Sequence, residues 1–212
     1  MKKAILIFLF YMIAQLIVVG QENYDTWVDG YIIAKVDNTK FEKDTVFGEI
    51  RFIENKMGLE FYKIELQMQS NETIKIQASE IISFQRGTKY YKSGFFDNNY
   101  SFAERIIHGP ISLYSNTQSK YGNNICSNSN DGPKWNGTIN QYGDDVDFYI
   151  EDRTSKKMTV IPSRYKKFVE VMEMYISDDK ELMSLIVSKE LKLKNIVEII
   201  NQYNANFIRK ER

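Results

Sequence analysis

The stretch Phe102–Tyr114, FAERIIHGPISLY, decides the fold. His108-Gly109-Pro110 is turn chemistry, because Gly and Pro both interrupt a regular backbone. Apolar residues alternate along both arms, with Ile107 before the turn and Ile111 and Leu113 after it. A period of two on either side of a turn is the pattern of a β-hairpin.

Upstream of this hairpin the period stays at two. Gly30–Val36 (GYIIAKV) reads as a strand, and Asp37–Lys43 as a polar loop. Asp44–Ile53 (DTVFGEIRFI) is the clearest strand of this half. It places Val46, Gly48, Ile50 and Phe52 on one face, and Thr45, Phe47, Glu49 and Arg51 on the other. Gly48 inside it marks a bulge or a close approach of backbone. Leu59–Met68 repeats the alternation with imperfect phase. Gln69–Glu72 is a turn, and Thr73–Gln77 a short half-buried strand. Ala78–Ile81 fits one helical turn, Ile82–Gln85 and Thr88–Lys92 fit hairpin arms, and Ser93–Tyr100 reads as a loop rich in Asn and aromatics.

Downstream the pattern changes twice. Ser115–Tyr142 carries many Asn, Ser and Gly residues, includes Trp135, and is long for a loop in a compact domain. Asp144–Glu151 and Lys157–Ile161 read as a closing hairpin. After Pro162 the period becomes about 3.6. Ser163 is placed to cap a helix to about Ile176, whose apolar face is Tyr165, Phe168, Met172, Tyr175 and Ile176. A second helix opens on Ser177-Asp178-Asp179, with acids at its positive end, and buries Leu182, Leu185 and Ile186. A third carries Ile196, Ile199, Ile200, Tyr203 and Phe207 on one face. The expected class is α+β: a curved antiparallel sheet or partly open barrel, followed by a C-terminal helical segment packed on it.

The first twenty residues have the layout of a secretory signal peptide. Lys2 and Lys3 precede a mostly apolar run, Ala4–Val19, interrupted by Gln15, and small residues lead to a cleavage point after Gly20. The organisation expected is therefore a signal peptide at 1–20, a β-rich domain at 21–161 and a helical segment at 162–212. The alternative is an uncleaved anchor, for which the run is short. There is no Cys at the cleavage point to carry a lipid, and no second apolar run of spanning length follows. The expected address is the periplasm or the outer cell surface.

The 212 residues are 43% apolar and 26% charged, a globular composition. Without Lys2 and Lys3 the formal charge is −2, so no basic excess exists to bind a phosphate backbone, and nucleic acid is not an expected partner. Cys126 is the single cysteine and lies in the polar loop, so no internal disulfide can form; it is a free thiol or an intermolecular bridge.

Several residues are candidate sites. His108 is the only histidine, so any Ser-His-Asp or Cys-His arrangement, with Ser112 or Cys126, would have to use it. No nucleophile-elbow sequence surrounds either partner, and His108 reads as a turn residue. One His and one Cys cannot build an ordinary structural zinc site. Asp144, Asp145, Asp147 and Asn140 form the densest oxygen cluster. An EF-hand register with Gly132 at its sixth position puts Ser127, Ser129 and Thr138 where strong oxygen ligands belong, so the cluster reads as a solvated turn. Glu104, Asp97, Glu151 and Asp152 are candidates for a carboxylate pair. Tyr90, Tyr91, Phe95, Phe96, Tyr100 and Trp135 are candidates for a stacking platform, with the alternative that alternate members are core. Asn71, Asn99 and Asn136 begin glycosylation sequons. No catalytic, metal or cofactor residue is assigned.

The succession DTVFGEIRF (44–52), ASEIISF (78–84), KYY (89–91), the central hairpin, FYIED (148–152) and NIVEIINQYN (195–204) resembles a family of uncharacterised secreted proteins of Gram-negative bacteria. Their strand-rich body opens with a D-T-x-x-G-x-I strand and closes on helices ending in a Tyr-Asn pair, here Tyr203-Asn204. The resemblance implies export, one β-rich unit and a helical C-terminus, and carries no catalytic motif. The expected function is a non-enzymatic exported binding module whose partner is another envelope protein or a surface polymer, recruited through exposed strand edges. A small secreted hydrolase using carboxylates and an oligomeric structural subunit are the alternatives.

Overall fold

The computed structural model describes residues 24–116 and 147–210, apart from 36–39, 42–43, 56–57, 97–98, 153 and 155–156. It is an α+β fold, a ten-stranded antiparallel sheet that does not close into a barrel, followed by helices. The strands are β1 (Val28–Ala34), β2 (Thr45–Asn55), β3 (Gly58–Gln67), β4 (Thr73–Gln77), β5 (Ile81–Arg86), β6 (Lys89–Phe96), β7 (Asn99–Ile107), β8 (Ile111–Asn116), β9 (Asp147–Asp152) and β10 (Met158–Val160). The helices are α1 (Tyr165–Ile176), α2 (Lys180–Val187) and α3 (Ile196–Lys210). The spatial order is β10-β9-β8-β7-β6-β5-β1-β2-β3-β4, so β1 is inserted between β5 and β2.

The order forces the sheet to curl. In it β4 lies four strands from β5, about 19 Å across a flat sheet. The chain from Gln77 to Ile81 has four steps and reaches at most about 14 Å. The sheet therefore rolls until β3 comes within 8 Å, Cα to Cα, of β7. Ser93 on β6 donates to the carbonyl of Ala78, and Ala78 N–H donates to Tyr62 O at 2.8 Å, pinning the β4–β5 turn across the roll. Rolled inside are Ile32, Ile50, Phe52, Ile64, Leu66, Ile76, Phe84, Tyr91 and Phe102.

Two glycines make the roll sterically feasible. Gly30 on β1 and Gly48 on β2 are register partners. A Cβ on Gly30 would stand 2.0 Å from Gln85 O, and one on Gly48 2.3 Å from Gln67 O. No other residue type fits where neighbouring backbones approach so closely.

The inner face of β7–β9 is covered by the helices instead. Ile107, Ile111, Leu113, Phe148 and Ile150 pack against Phe168, Met172, Ile176, Leu182, Ile186, Ile196, Ile199, Ile200 and Tyr203. The helical faces expected from the periodicity enter this core, with Tyr165, Tyr175 and Phe207 at its margin, except that Leu185 stays half-buried outside it and Met183 packs against the core instead. Asp179 caps α2 by accepting from Leu182 N–H at 3.1 Å.

Several expectations are corrected. Ser93–Tyr100 is not a loop: β6 runs to Phe96 and β7 starts at Asn99, because Phe95 pairs with Tyr100 and the Phe96 ring lies over Gly94. Ala78–Glu80 is a turn, and Ile81 already belongs to β5. Ser163 does not cap α1; the N-cap is Arg164, with no side-chain cap bond. The imperfect phase of β3 has a structural cause. Phe52 pairs with Ile64 but Ile53 pairs with Glu60, so extra residues of β3 bulge out between them. Ser115 and Asn116, expected to open the long loop Ser115–Tyr142, are instead the last residues of β8. Residues 117–146, with Cys126, Trp135, Asn136, Asn140, Asp144 and Asp145, lie outside the described residues, as do Asp97 and the N-terminal apolar run.

Candidate functional site

A depression lies on the outer face, above β5, β1, β2 and β3. Strand alternation sends Ile32 and Ile50 inward and Tyr31, Phe47, Glu49 and Gln85 outward. An open groove of about 590 Å³ lies among these outward residues, Asp29, Gln67 and the β3–β4 turn. That is within the span of about 300–1,000 Å³ common to small-ligand sites.

Phe47 is 66% exposed, far more than a large aromatic ring normally is on a sheet face. Its cross-strand partner Tyr31 lies with ring centroids 5.8 Å apart and planes at 54°. The Tyr31 hydroxyl donates to Gln85 Oε1 at 3.1 Å, and Gln85 Nε2 donates to Gly87 O at 3.0 Å. Gly87 has φ +58° and closes the β5–β6 turn, its N–H donating to Asp29 O at 2.8 Å. The opposite rim is the β3–β4 turn, where Asn71 takes φ 63° and Met68 N–H donates to Glu72 O at 2.9 Å. An asparagine tolerates that conformation better than most residues. Asp29 and Glu49 face each other across β1 and β2 and are both exposed. Among the described residues no Lys or Arg lines the groove.

The other conspicuous charges of the sheet are engaged in pairs. Arg51 holds Glu65 through Nε at 2.7 Å, with its guanidinium 4.4 Å from the centre of the Trp27 ring. Lys89 pairs with Glu104 at 3.2 Å. On the outer face of β6–β9, Glu151 is 9% exposed and accepts from Lys92 and from the Tyr114 hydroxyl, the latter at 2.8 Å. Burial and the Glu151 carboxylate together push the Tyr114 hydroxyl well above the ordinary phenol range. Arg105 stacks on Tyr90 at 4.1 Å beside them. Arg86, 3% exposed and inward, donates to Ile50 O at 3.2 Å and Thr26 O at 2.9 Å, tying the N-terminal segment over the end of the roll.

These positions separate the candidate residues. Glu104 pairs with Ser115 and Glu151 with Ser112 on the neighbouring strand, so the two carboxylates leave the sheet on opposite faces. Asp152 accepts from Thr154 N–H at 2.7 Å in the turn that follows β9. His108 is exposed in the β7–β8 turn and Ser112 is buried in β8. Tyr91 is inner core, and Phe96 is buried on the outer face against Tyr149. Phe95 and Tyr100 remain exposed, as a cross-strand pair with centroids 5.3 Å apart. Asp147 begins β9, and no group of three or more His, Cys, Asp or Glu side chains among the described residues is placed to hold a metal.

The chain stands without a match. Comparison with family models, with curated proteins and with solved structures finds none. No helix among the described residues is long and apolar enough to cross a membrane.

The Tyr31–Phe47 groove was not singled out from the sequence. Its signal was the outward set Thr45, Phe47, Glu49, Arg51 on β2: a Phe where alternation demands a polar residue. Pairing that Phe with Tyr31 and Gln85 requires the β5-β1-β2 order, which is not local information.

Proposed function

We propose that the chain is a non-enzymatic exported protein that binds another component of the cell envelope through the outer face of its rolled sheet. The observation that supports it is the Phe47 groove: a solvent-facing aromatic ring, the Gln85 amide held by Tyr31 and Gly87, and two exposed carboxylates, set on strands whose backbone is paired on both sides. A site on rigid strands loses little freedom when a ligand binds. The signal-like N-terminus and the resemblance to secreted proteins support export.

The reading of a carboxylate hydrolase gains one observation. Asp29 and Glu49 lie opposite each other in this groove, whereas Glu104 and Glu151 do not converge. Both acids of the groove are exposed. They stand in an open groove rather than a closed cleft, so binding without turnover is the better reading.

The test is affinity co-purification of the full-length chain, tagged at its C-terminus, processed by the cells that express it and recovered from cross-linked envelopes. A reproducible stoichiometric component, with no cleavage of a polysaccharide or peptide panel, is the expected result. Turnover of any panel member that Asp29→Asn or Glu49→Gln abolishes overturns the reading in favour of the hydrolase.

A further inference from the structure

We infer that the Tyr31–Phe47 groove is a saccharide site, and that its ligand is a neutral, hydroxyl-rich glycan segment. The inference rests on the binding reading above and adds the chemistry of the ligand.

Three observations select that chemistry. Phe47 offers an open ring face with Tyr31 tilted beside it, a wall against which the C–H face of a pyranose packs without needing charge. Around the wall stand the Gln85 amide and the Gln67 amide on the facing strand, which both give and take hydrogen bonds, and the carboxylates of Asp29 and Glu49, which accept them. Gln85 is already held by Tyr31 and by Gly87 O, so it presents its remaining hydrogen-bonding capacity in one orientation. Finally, the charge in the groove is negative, with no lining cation among the described residues, which opposes phosphate, sulfate and uronate groups.

A basic peptide would also meet two acids and an aromatic ring. The groove lies over β1 and β2, however, and both of these strands are hydrogen-bonded on each side. Peptide capture by strand addition needs an unpaired edge. Hydroxyl groups need only side chains, which is what the groove provides.

The experiment uses the full-length chain as the cells process it. Binding is measured by isothermal titration against a neutral tetrasaccharide set (cellotetraose, maltotetraose, chitotetraose), a tetragalacturonate and a Lys-rich octapeptide. Phe47→Ala and Gln85→Ala are compared with Phe95→Ala, which removes an equally exposed ring at the β6–β7 hairpin. The expected result is binding of at least one neutral tetrasaccharide, weakened about tenfold or more by Phe47→Ala and unchanged by Phe95→Ala. Circular dichroism and the urea midpoint of Phe47→Ala are measured alongside, to separate loss of binding from loss of the fold. Binding of the tetragalacturonate or the peptide alone overturns the proposal, as does no neutral binding, or neutral binding that Phe47→Ala leaves intact. If an envelope component still co-purifies with Phe47→Ala, the binding reading survives and only this assignment fails.

Discussion

Asn204 of α3 holds Ile111 of β8 by both of its backbone groups: Oδ1 accepts from Ile111 N–H at 3.0 Å and Nδ2 donates to Ile111 O at 2.8 Å. The side chain replaces a missing strand partner at the mouth of the hairpin and seats the last helix on the sheet. Asn204→Ala should cost about 2–3 kcal/mol, because it strands a buried donor and acceptor. Asn204→Asp should cost a similar amount, since a carboxylate oxygen would then face the Ile111 carbonyl. The urea midpoint reads both. A Cβ on Gly109 would stand 2.5 Å from Asn204 Nδ2, so Gly109→Ala should destabilise through Asn204. The double variant Gly109→Ala/Asn204→Ala should then cost less than the sum of the single variants.

Gly30→Ala and Gly48→Ala should each destabilise by about 3 kcal/mol, because the added methyl meets backbone oxygen of Gln85 or Gln67. In an ordinary strand the same change is mildly favourable, so the sign itself tests the close approach. Equilibrium unfolding in urea measures it.

Lys92→Met should cost about 3 kcal/mol by leaving Glu151 a buried charge without its cation. Tyr114→Phe, which removes one hydrogen bond to the same carboxylate, should cost about 1 kcal/mol. Reversal of that order in urea titrations would show that the ion pair is not what holds Glu151 in the sheet.

Alkaline pH should weaken the fold through Tyr203. Burial, with the hydroxyl donating to Asp178 at 3.0 Å, pushes its pKa from 10.0 up to about 12. A raised phenol pKa means the folded chain keeps a proton that the unfolded chain has released. The contribution is complete below pH 10 and is lost as pH rises toward 12. Between pH 9 and pH 12 the wild type should therefore lose more stability than Tyr203→Phe, measured by guanidinium unfolding at each pH.

Ser83, opposite Lys92 on β5, is fully buried, and its hydroxyl has no hydrogen-bond partner among the described residues. Ser83→Ala should therefore be neutral, or stabilising by up to about 1 kcal/mol. Differential scanning calorimetry would show a melting temperature equal to or above that of the wild type.

The amino-acid sequence by itself determined most of the elements, though not the continuation of β6 and β7 through Ser93–Tyr100. Period two across Asp44–Ile53 and the central hairpin, and period 3.6 after Pro162, are local consequences of which faces meet water. Gly48 was legible as a bulge or a close approach of backbone, and Tyr203-Asn204 as a feature of the last helix. Their partners were not. That Gly48 lies beside Gly30, that Asn204 reaches Ile111 ninety-three positions away in the chain, and that Phe47 meets Tyr31 all depend on strand order. Only the tertiary structure decided that order. Inserting β1 between β5 and β2 is a long-range pairing, stabilised by the shared burial of Ile32, Ile50 and Phe84, which no local window contains. The same step divided the candidate residues: Glu104 and Glu151 parted to opposite faces because β-strand alternation is local, while the neighbours each face acquires are not.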